Sequence, residues 1–285
     1  GLGAAFAPVQ ARNSGKSGFR LVIGGREAFT ARIELADRAE RTLDLQYYIW
    51  EADASGTLLA ERILRAADRD VRVRILIDHI TTKDTDFKFA RLNFHPNIEI
   101  RLFNPFLNRN FRPLELLFSF KRLNQRMHNK AFIVDNAVAI VGGRNIGDDY
   151  FGVDAVTNFR DLDLMMVGPI VQEVSRSFDR YWNSELAYPA SVLYRGEPPT
   201  PEQIREQREQ LNQFVADQHD SEYLQELRNS DLANQIRNKQ VEFKWGDAAV
   251  VFDEPEKLQH DFSKTEYHLE PKLAPYMDGI KRSEV

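Results

Sequence analysis

Cysteine is absent from the 285 residues, so the chain can form neither a disulfide framework nor a thiolate metal site. The sequence also has no apolar run as long as a membrane-spanning helix requires. Positive charge is not in excess, because 38 Lys and Arg stand against 43 Asp and Glu, a formal net charge of -5 at pH 7. These absences exclude a disulfide-rich scaffold and give the chain no global attraction to nucleic acid.

One segment departs from this acidic average. Residues 101–130 contain seven Lys or Arg and five Phe but a single acidic residue. A basic and aromatic segment in an acidic protein predicts a local anionic partner. The same pattern also fits a core helix with a solvated basic face, and composition alone leaves both interpretations open.

Strand and helix patterns alternate along the first 190 residues. Strand patterns cover residues 43–50, 71–77, 98–103, 131–135, 137–143 and 161–168. Helical spacing covers residues 27–41, 58–69 (with Ser55 as the expected N-cap), 84–92, 113–126 and 170–182. This alternation predicts an α/β fold, an α-β-α sandwich whose central sheet is mixed but mainly parallel.

Changes in composition divide the chain into four expected parts. We expect a flexible lead-in over residues 1–17, a catalytic half-domain over 18–190 and a polar, partly helical linker over 191–240. Residues 241–285 repeat the rhythm of strand, polar turn and helix found near the start of the chain. They are therefore expected to begin a second, truncated domain of the same kind.

The segment RMHNKAFIVDNAVAIVGGRN, residues 126–145, places reactive side chains on a predicted hairpin. His128 and Lys130 would share one side of a strand, and the glycine loop after the next strand can bring Asn145 beside them. An imidazole can attack phosphorus, while an ammonium and an amide hold the phosphoryl oxygens. Asp161, at the start of a neighbouring strand, is the candidate to orient the imidazole. These residue types together favour a phosphodiester as the ligand.

The full pattern, HxKxxxxD, then six intervening residues, then GGxN, resembles the signature of the phospholipase D superfamily. Gly143 stands where that signature usually has serine. Further stretches, LDLQYYIW, AADRDVRVRILID and FRDLDLMMVGP, are similar to the N-terminal half of bacterial cardiolipin synthases of type C. The resemblance covers roughly residues 18–190.

The resemblance implies a role for each motif residue. His128 would form a covalent phosphohistidine, Lys130 and Asn145 would hold the phosphoryl oxygens, Asp161 would orient His128, and Asp135 would anchor the hairpin turn. The residues expected to contact substrate are Gly142, Gly143, Arg109, Arg112 and Arg126. No metal or other cofactor is implied.

The family site is built from two such halves, and none of the other five histidines has a lysine two positions later. The second half would come from the same full-length chain or from a homodimer partner. The implied function is phosphatidyl transfer at the periphery of a bacterial inner membrane. The expected partners are phospholipid substrates and an anionic phospholipid surface, with no nucleic acid. The alternatives are a nuclease or another phosphodiesterase, a phospholipase D hydrolase, and a non-catalytic half that docks on membranes.

Overall fold

A computed structural model describes residues 2–78, 92–105, 126–153, 159, 161–193, 197–218, 221–258, 269 and 271–275. The predicted helices over residues 84–92 and 113–126 fall almost entirely outside these ranges. Two of the predicted substrate-binding residues, Arg109 and Arg112, also lie outside them.

The described strands are short, and β2 to β7 correspond to the six predicted apolar runs, while β1, β8 and β9 do not. They are β1 (Ser17–Val22), β2 (Thr42–Tyr47), β3 (Arg72–Asp78), β4 (Ile98–Phe103), β5 (Ala131–Val134), β6 (Val138–Gly142), β7 (Asp163–Val167), β8 (Ala187–Pro189) and β9 (Lys244–Gly246). The described helices are α1 (Leu2–Arg12), α2 (Gly25–Asp37), α3 (Ala54–Asp68), α4 (Asp148–Phe151), α5 (Ile170–Trp182), α6 (Ala190–Leu193), α7 (Pro201–Gln218), α8 (Glu222–Asn229) and α9 (Asp231–Asn238).

The strands form one sheet in the order β8-β4-β3-β2-β5-β6-β7-β1-β9. Helices α2 and α3 contribute to the apolar core on one face, and α5 packs on the other through Val174 and Phe178. The predicted α/β sandwich with a mixed sheet is therefore confirmed. The expectation of a mainly parallel sheet is wrong, because only β2–β3 and β3–β4 are parallel among the eight described pairings. The turn between β5 and β6 is too short for the crossover that parallel neighbours need.

The N-terminal segment is not the flexible lead-in expected over residues 1–17. It forms helix α1, in which Leu2 and Phe6 are buried in the main core. The ring of Phe6 meets the ring of Phe243 edge to face, with centroids 5.5 Å apart. Burial of these two apolar side chains holds the segment against the domain.

The predicted start of α3 also needs a correction. The N-cap is Asp53, whose side chain accepts a hydrogen bond from the N–H of Gly56 at 2.9 Å. Ser55, the expected cap, lies inside the helix. A carboxylate is a strong cap because it accepts a free backbone N–H and faces the positive end of the helix dipole.

The half-domain extends beyond the expected boundary at residue 190. Helices α8 and α9 bury Leu224, Leu232 and Ile236 in the main core, and β9 pairs with β1 at the sheet edge. Residues 244–246 therefore belong to the first sheet. The expectation that residues 241–285 begin a second domain is wrong for these three residues. Within the segment predicted as a polar linker, 191–240, helix α7 has no buried residue, whereas α8 and α9 do. Within the described ranges, no helix has the length and apolar character needed to cross a membrane.

Candidate active site

Five strand ends meet at one edge of the sheet, and His128, Lys130 and the glycine loop lie there, whereas Asp135 does not. Tyr47, the last residue of β2, pairs with Ile77 near the end of β3. Antiparallel to β2, strand β5 begins at this edge, with Ala131 opposite Gln46. Strand β6 ends and β7 begins here too, since Gly142 pairs with Asp163. The pairing of these strands therefore brings together segments that are far apart in the sequence.

His128 and Lys130 lie in the segment that leads into β5, rather than on a strand as predicted. The ammonium Nζ of Lys130 donates a hydrogen bond to the backbone oxygen of His128 at 2.7 Å. The His128 ring is stacked on Tyr48, with centroids 4.2 Å apart and an interplanar angle of 22°. Lys130 Nζ lies 5.7 Å from the centroid of the same Tyr48 ring. His128 is exposed and Lys130 half-buried, so the pair is open to a ligand.

The surroundings lower the pKa of both the imidazole and the amine. Partial burial and the positive charge of Lys130 both lower the pKa of His128, which favours the neutral ring. Burial lowers the pKa of Lys130 as well, and the carboxylate of Asp161 opposes that shift. A neutral histidine can act as a nucleophile, and the adjacent cation can attract an anionic phosphodiester.

Asp161 lies near Lys130 and beside the glycine loop. A Cβ atom on Gly143 would lie 2.6 Å from the Asp161 Cγ, so the carboxylate occupies the space that a side chain at residue 143 would need. Within the described ranges no hydrogen bond joins Asp161 to His128. The orienting role predicted for Asp161 stays a prediction, and its negative charge opposes the lowering of the pKa of Lys130.

The glycine loop is drawn tightly against β7. A Cβ on Gly142 would come within 2.5 Å of the backbone oxygen of Leu162. The N–H of Gly143 donates to that same oxygen at 3.2 Å, so this amide is engaged within the protein. Glycine is therefore required at residue 142 by close backbone approach.

Asn145 links the loop to the end of β2. Its Oδ1 accepts a hydrogen bond from the N–H of Ile49 at 3.1 Å, and its Nδ2 donates to the hydroxyl of Tyr150 at 3.1 Å. The residue is 5% exposed. The amide predicted to hold phosphoryl oxygens is thus used to position the two segments on either side of the site.

Asp135 lies at the opposite end of β5 from His128. It occupies the β5–β6 turn with φ 53°, and its carboxylate accepts the backbone N–H groups of Glu40, Arg41 and Thr42. It therefore anchors the turn to the chain entering β2, and the structure brings it into no contact with His128.

Arg126, predicted to contact substrate, is bound to the sheet edge. Its Nη1 donates to Asp78 Oδ1 at 3.1 Å and to the Asn104 carbonyl at 3.3 Å. Asp78 Oδ2 accepts the N–H of Met127 at 3.1 Å. The Arg126 side chain is 5% exposed and that of Asp78 is fully buried. These contacts support an anchoring role at the start of the motif.

A buried ionic cluster beneath the loop was not predicted from the sequence. Arg32 on α2 donates to Asp163 Oδ2 at 2.9 Å and to the Tyr47 hydroxyl at 3.0 Å. Arg144, the variable residue of the GGxN element, lies 3.4 Å from the same Asp163 oxygen and donates to the carbonyls of β1 and the residue after it. The available signal was an arginine among the apolar positions of α2. Tyr48 was also missed, and its only signal was an aromatic at the end of an apolar strand.

The described residues contain no group of three or more His, Asp or Glu side chains arranged to hold a metal ion. What the site offers is an exposed imidazole, an ammonium beside it and a carboxylate near that ammonium. This set suits attack on phosphorus in an anionic ester.

Comparisons with known proteins show which family the chain resembles. The model of the family described as "Cardiolipin synthase, PLD-like domain" matches residues 33–182. Cardiolipin synthase C from Escherichia coli (strain K12) is 40% identical over 257 residues, which cover 90% of this chain and 54% of that protein. An uncharacterized protein from Helicobacter pylori (strain ATCC 700392 / 26695) is 35% identical, over 90% of this chain and 51% of its own. The major cardiolipin synthase ClsA from Bacillus subtilis (strain 168) is 29% identical, over 57% of this chain and 32% of that protein.

The chain spans about half the length of the first two of these relatives. The matched residues 33–182 include both the histidine–lysine pair and the glycine loop. The similarity therefore covers the whole edge described above.

Proposed function

The chain belongs to the family of PLD-like domains of cardiolipin synthases, and from this premise we propose that it supplies one half of a phosphatidyltransferase site. The observation that carries the proposal is the exposed His128 beside Lys130 at a single sheet edge. The names of two relatives, cardiolipin synthases from Escherichia coli and Bacillus subtilis, support a phospholipid as the substrate.

In the first step, a ring nitrogen of His128 attacks the phosphorus of a donor phospholipid. The new N–P bond forms as the P–O bond to the leaving alcohol breaks, and an acid in the second half-site gives that alcohol its proton. In the second step, the hydroxyl of phosphatidylglycerol loses a proton to the same group. Its oxygen then bonds to phosphorus as the N–P bond breaks, which frees His128.

The other residues at the edge support these steps without reacting. Lys130 balances charge on the phosphoryl oxygens, and the carboxylate of Asp161 opposes the burial that lowers the pKa of that amine. We retain the orientation of His128 by Asp161 as part of the proposal. Gly142 and Gly143 allow β7 to approach closely, while Asn145 and Arg126 fix the segments that carry the reactive groups.

We also propose where the domain works. It would act at the periphery of a bacterial inner membrane, and the second half-site would come from a longer chain or from a second copy. This placement follows from a lipid substrate. Phosphatidylglycerol and phosphatidylethanolamine carry the same phosphodiester, so either could be the donor at this half-site.

The test incubates the chain with vesicles of phosphatidylglycerol and phosphatidylethanolamine, followed by alkaline quenching and peptide mass spectrometry. A phosphatidyl group on His128 is expected, and it should be absent in His128→Asn. The matched control is His95→Asn, since His95 precedes β4 and contacts Asp68 at 3.2 Å, away from the site. Lipid analysis then separates transfer, which yields diphosphatidylglycerol, from hydrolysis, which yields phosphatidic acid. No adduct on His128, together with cleavage of labelled DNA, would replace the proposal with the nuclease alternative.

A further inference from the structure

The ring of Tyr48 contacts both groups on which the proposed chemistry depends. Its plane is inclined by 22° to the His128 imidazole at a centroid separation of 4.2 Å. Lys130 Nζ is 5.7 Å from the same centroid, within the range of a cation–π contact. An exposed histidine that leads into a strand would otherwise turn freely about its two side-chain bonds. Tyr48 is placed to restrict that rotation.

The backbone on both sides of Tyr48 is fixed. The preceding Tyr47 is buried, and its hydroxyl accepts a hydrogen bond from Arg32 Nε at 3.0 Å. The following Ile49 donates its N–H to Asn145 Oδ1 at 3.1 Å and accepts, through its carbonyl, the N–H of Ile146 at 3.1 Å. Tyr48 therefore presents its ring from a rigid support that also includes the glycine loop.

We propose that Tyr48 is a positioning residue, whose ring holds the His128 imidazole in the plane needed for in-line attack and keeps the Lys130 ammonium beside it. This inference rests on the proposed role of His128. It gives Asn145 an indirect task as well, because Asn145 holds the backbone of residue 49 and so sets where the Tyr48 ring lies. Pre-orienting a nucleophile lowers the barrier without tightening ground-state binding.

A spectroscopic test addresses the stacking directly. In the 285-residue chain the His128 ring protons should be shifted upfield by the Tyr48 ring current, and their signals can be assigned by their loss in His128→Asn. Tyr48→Phe should keep the upfield shift, while Tyr48→Leu should abolish it. The matched control is Tyr188→Leu, because Tyr188 lies on β8 at the far edge of the sheet.

A kinetic test separates positioning from binding. For adduct formation on His128 from phosphatidylglycerol vesicles, Tyr48→Leu should lower kcat by about tenfold or more and leave KM within about twofold. Tyr48→Phe should restore kcat to within about twofold of the original, since it keeps the aromatic face. Tyr188→Leu should change neither value.

The outcomes distinguish this inference from the proposed function. An original chain without upfield-shifted His128 signals, or a folded Tyr48→Leu with unchanged kcat, would overturn the positioning role and leave the role of His128 intact. An active His128→Asn would overturn the proposed function itself. Tyr48→Gln, suited to a half-exposed position, replaces Tyr48→Leu if the leucine variant does not fold, and the same loss of shift and kcat is expected.

Discussion

The two ends of strand β5 carry residues of one sequence motif but use them in opposite ways. At the end near His128, the imidazole is exposed and Lys130 is half-buried, and both contact the ring of Tyr48. At the other end, the Asp135 carboxylate is saturated by backbone N–H groups from the chain that enters β2. A four-residue strand separates the two ends. The spacing in HxKxxxxD therefore reflects the length of a strand between a reactive end and an anchored end.

The strongest test of this division removes the proposed nucleophile. His128→Asn should lower adduct formation and transfer by roughly 10³-fold or more, because asparagine cannot attack phosphorus. The thermal midpoint should stay near that of the original chain, since the His128 side chain is exposed. Calorimetry and the vesicle assay measure the two quantities. A large loss of stability with retained activity would show that His128 has a structural role and is not the nucleophile.

Substitutions at Gly142 and Gly143 should reduce stability by different amounts, because a side chain at each position would meet different neighbouring atoms. Gly142→Ala places a methyl group 2.0 Å from Oδ1 of the buried Asp163 and 2.5 Å from the Leu162 carbonyl oxygen, and should destabilise the fold by about 2 kcal/mol. Gly143→Ala meets the Asp161 carboxylate, which can turn away, so a smaller loss of stability and a lower transfer rate are expected. Urea unfolding of both variants checks the order. Equal effects on stability would contradict it.

Removal of the charge of Asp135 should lower the stability of the fold and leave the transfer activity unchanged. Asp135→Asn keeps the left-handed backbone that asparagine tolerates but loses the charge that accepts the N–H groups of residues 40–42. We expect the free energy of unfolding to fall by about 1–2 kcal/mol, with unchanged activity per folded molecule. Asp70→Asn is the matched control, because Asp70 is exposed and has φ 67°. If Asp135→Asn were stable but inactive, Asp135 would have a role in the reaction and not only in anchoring the turn.

The pH dependence sharpens the description of the reactive end. Because partial burial and Lys130 lower the pKa of His128, transfer should fall only when the pH drops below that lowered pKa and the ring takes up a proton. Lys130→Met removes the like charge, so the pKa of His128 should rise and the acid limb should move to higher pH. NMR titration of the imidazole measures this directly. Lys16→Met, at an exposed lysine paired with Asp247, should leave the titration unchanged.

Residue patterns predicted most strands and the gathering of His128, Lys130 and the glycine loop at one edge. They succeeded because apolar runs mark buried strands and because a hairpin fixes which ends meet. The mainly parallel sheet was wrong because strand direction is decided by pairing between distant segments, such as β1 with β7. The contacts of Asn145 and Tyr48 could not be predicted, since both depend on the β2–β5–β6 arrangement rather than on local spacing.

The buried cluster of Arg32, Asp163 and Arg144 has a consequence for how the site assembles. Arg32 and Asp163 are separated by 131 positions in the sequence. Arg144 also donates a hydrogen bond to the carbonyl of Val22, which lies on a third segment, β1. Opening the loop alone would take Arg144 away from Asp163 and remove its hydrogen bonds to the carbonyls of Val22 and Ile23, which is costly in a buried site. Amide protons of the loop should therefore exchange with solvent only when the whole domain unfolds. The reactive edge is then assembled cooperatively with the rest of the protein and cannot mature as an independent local unit.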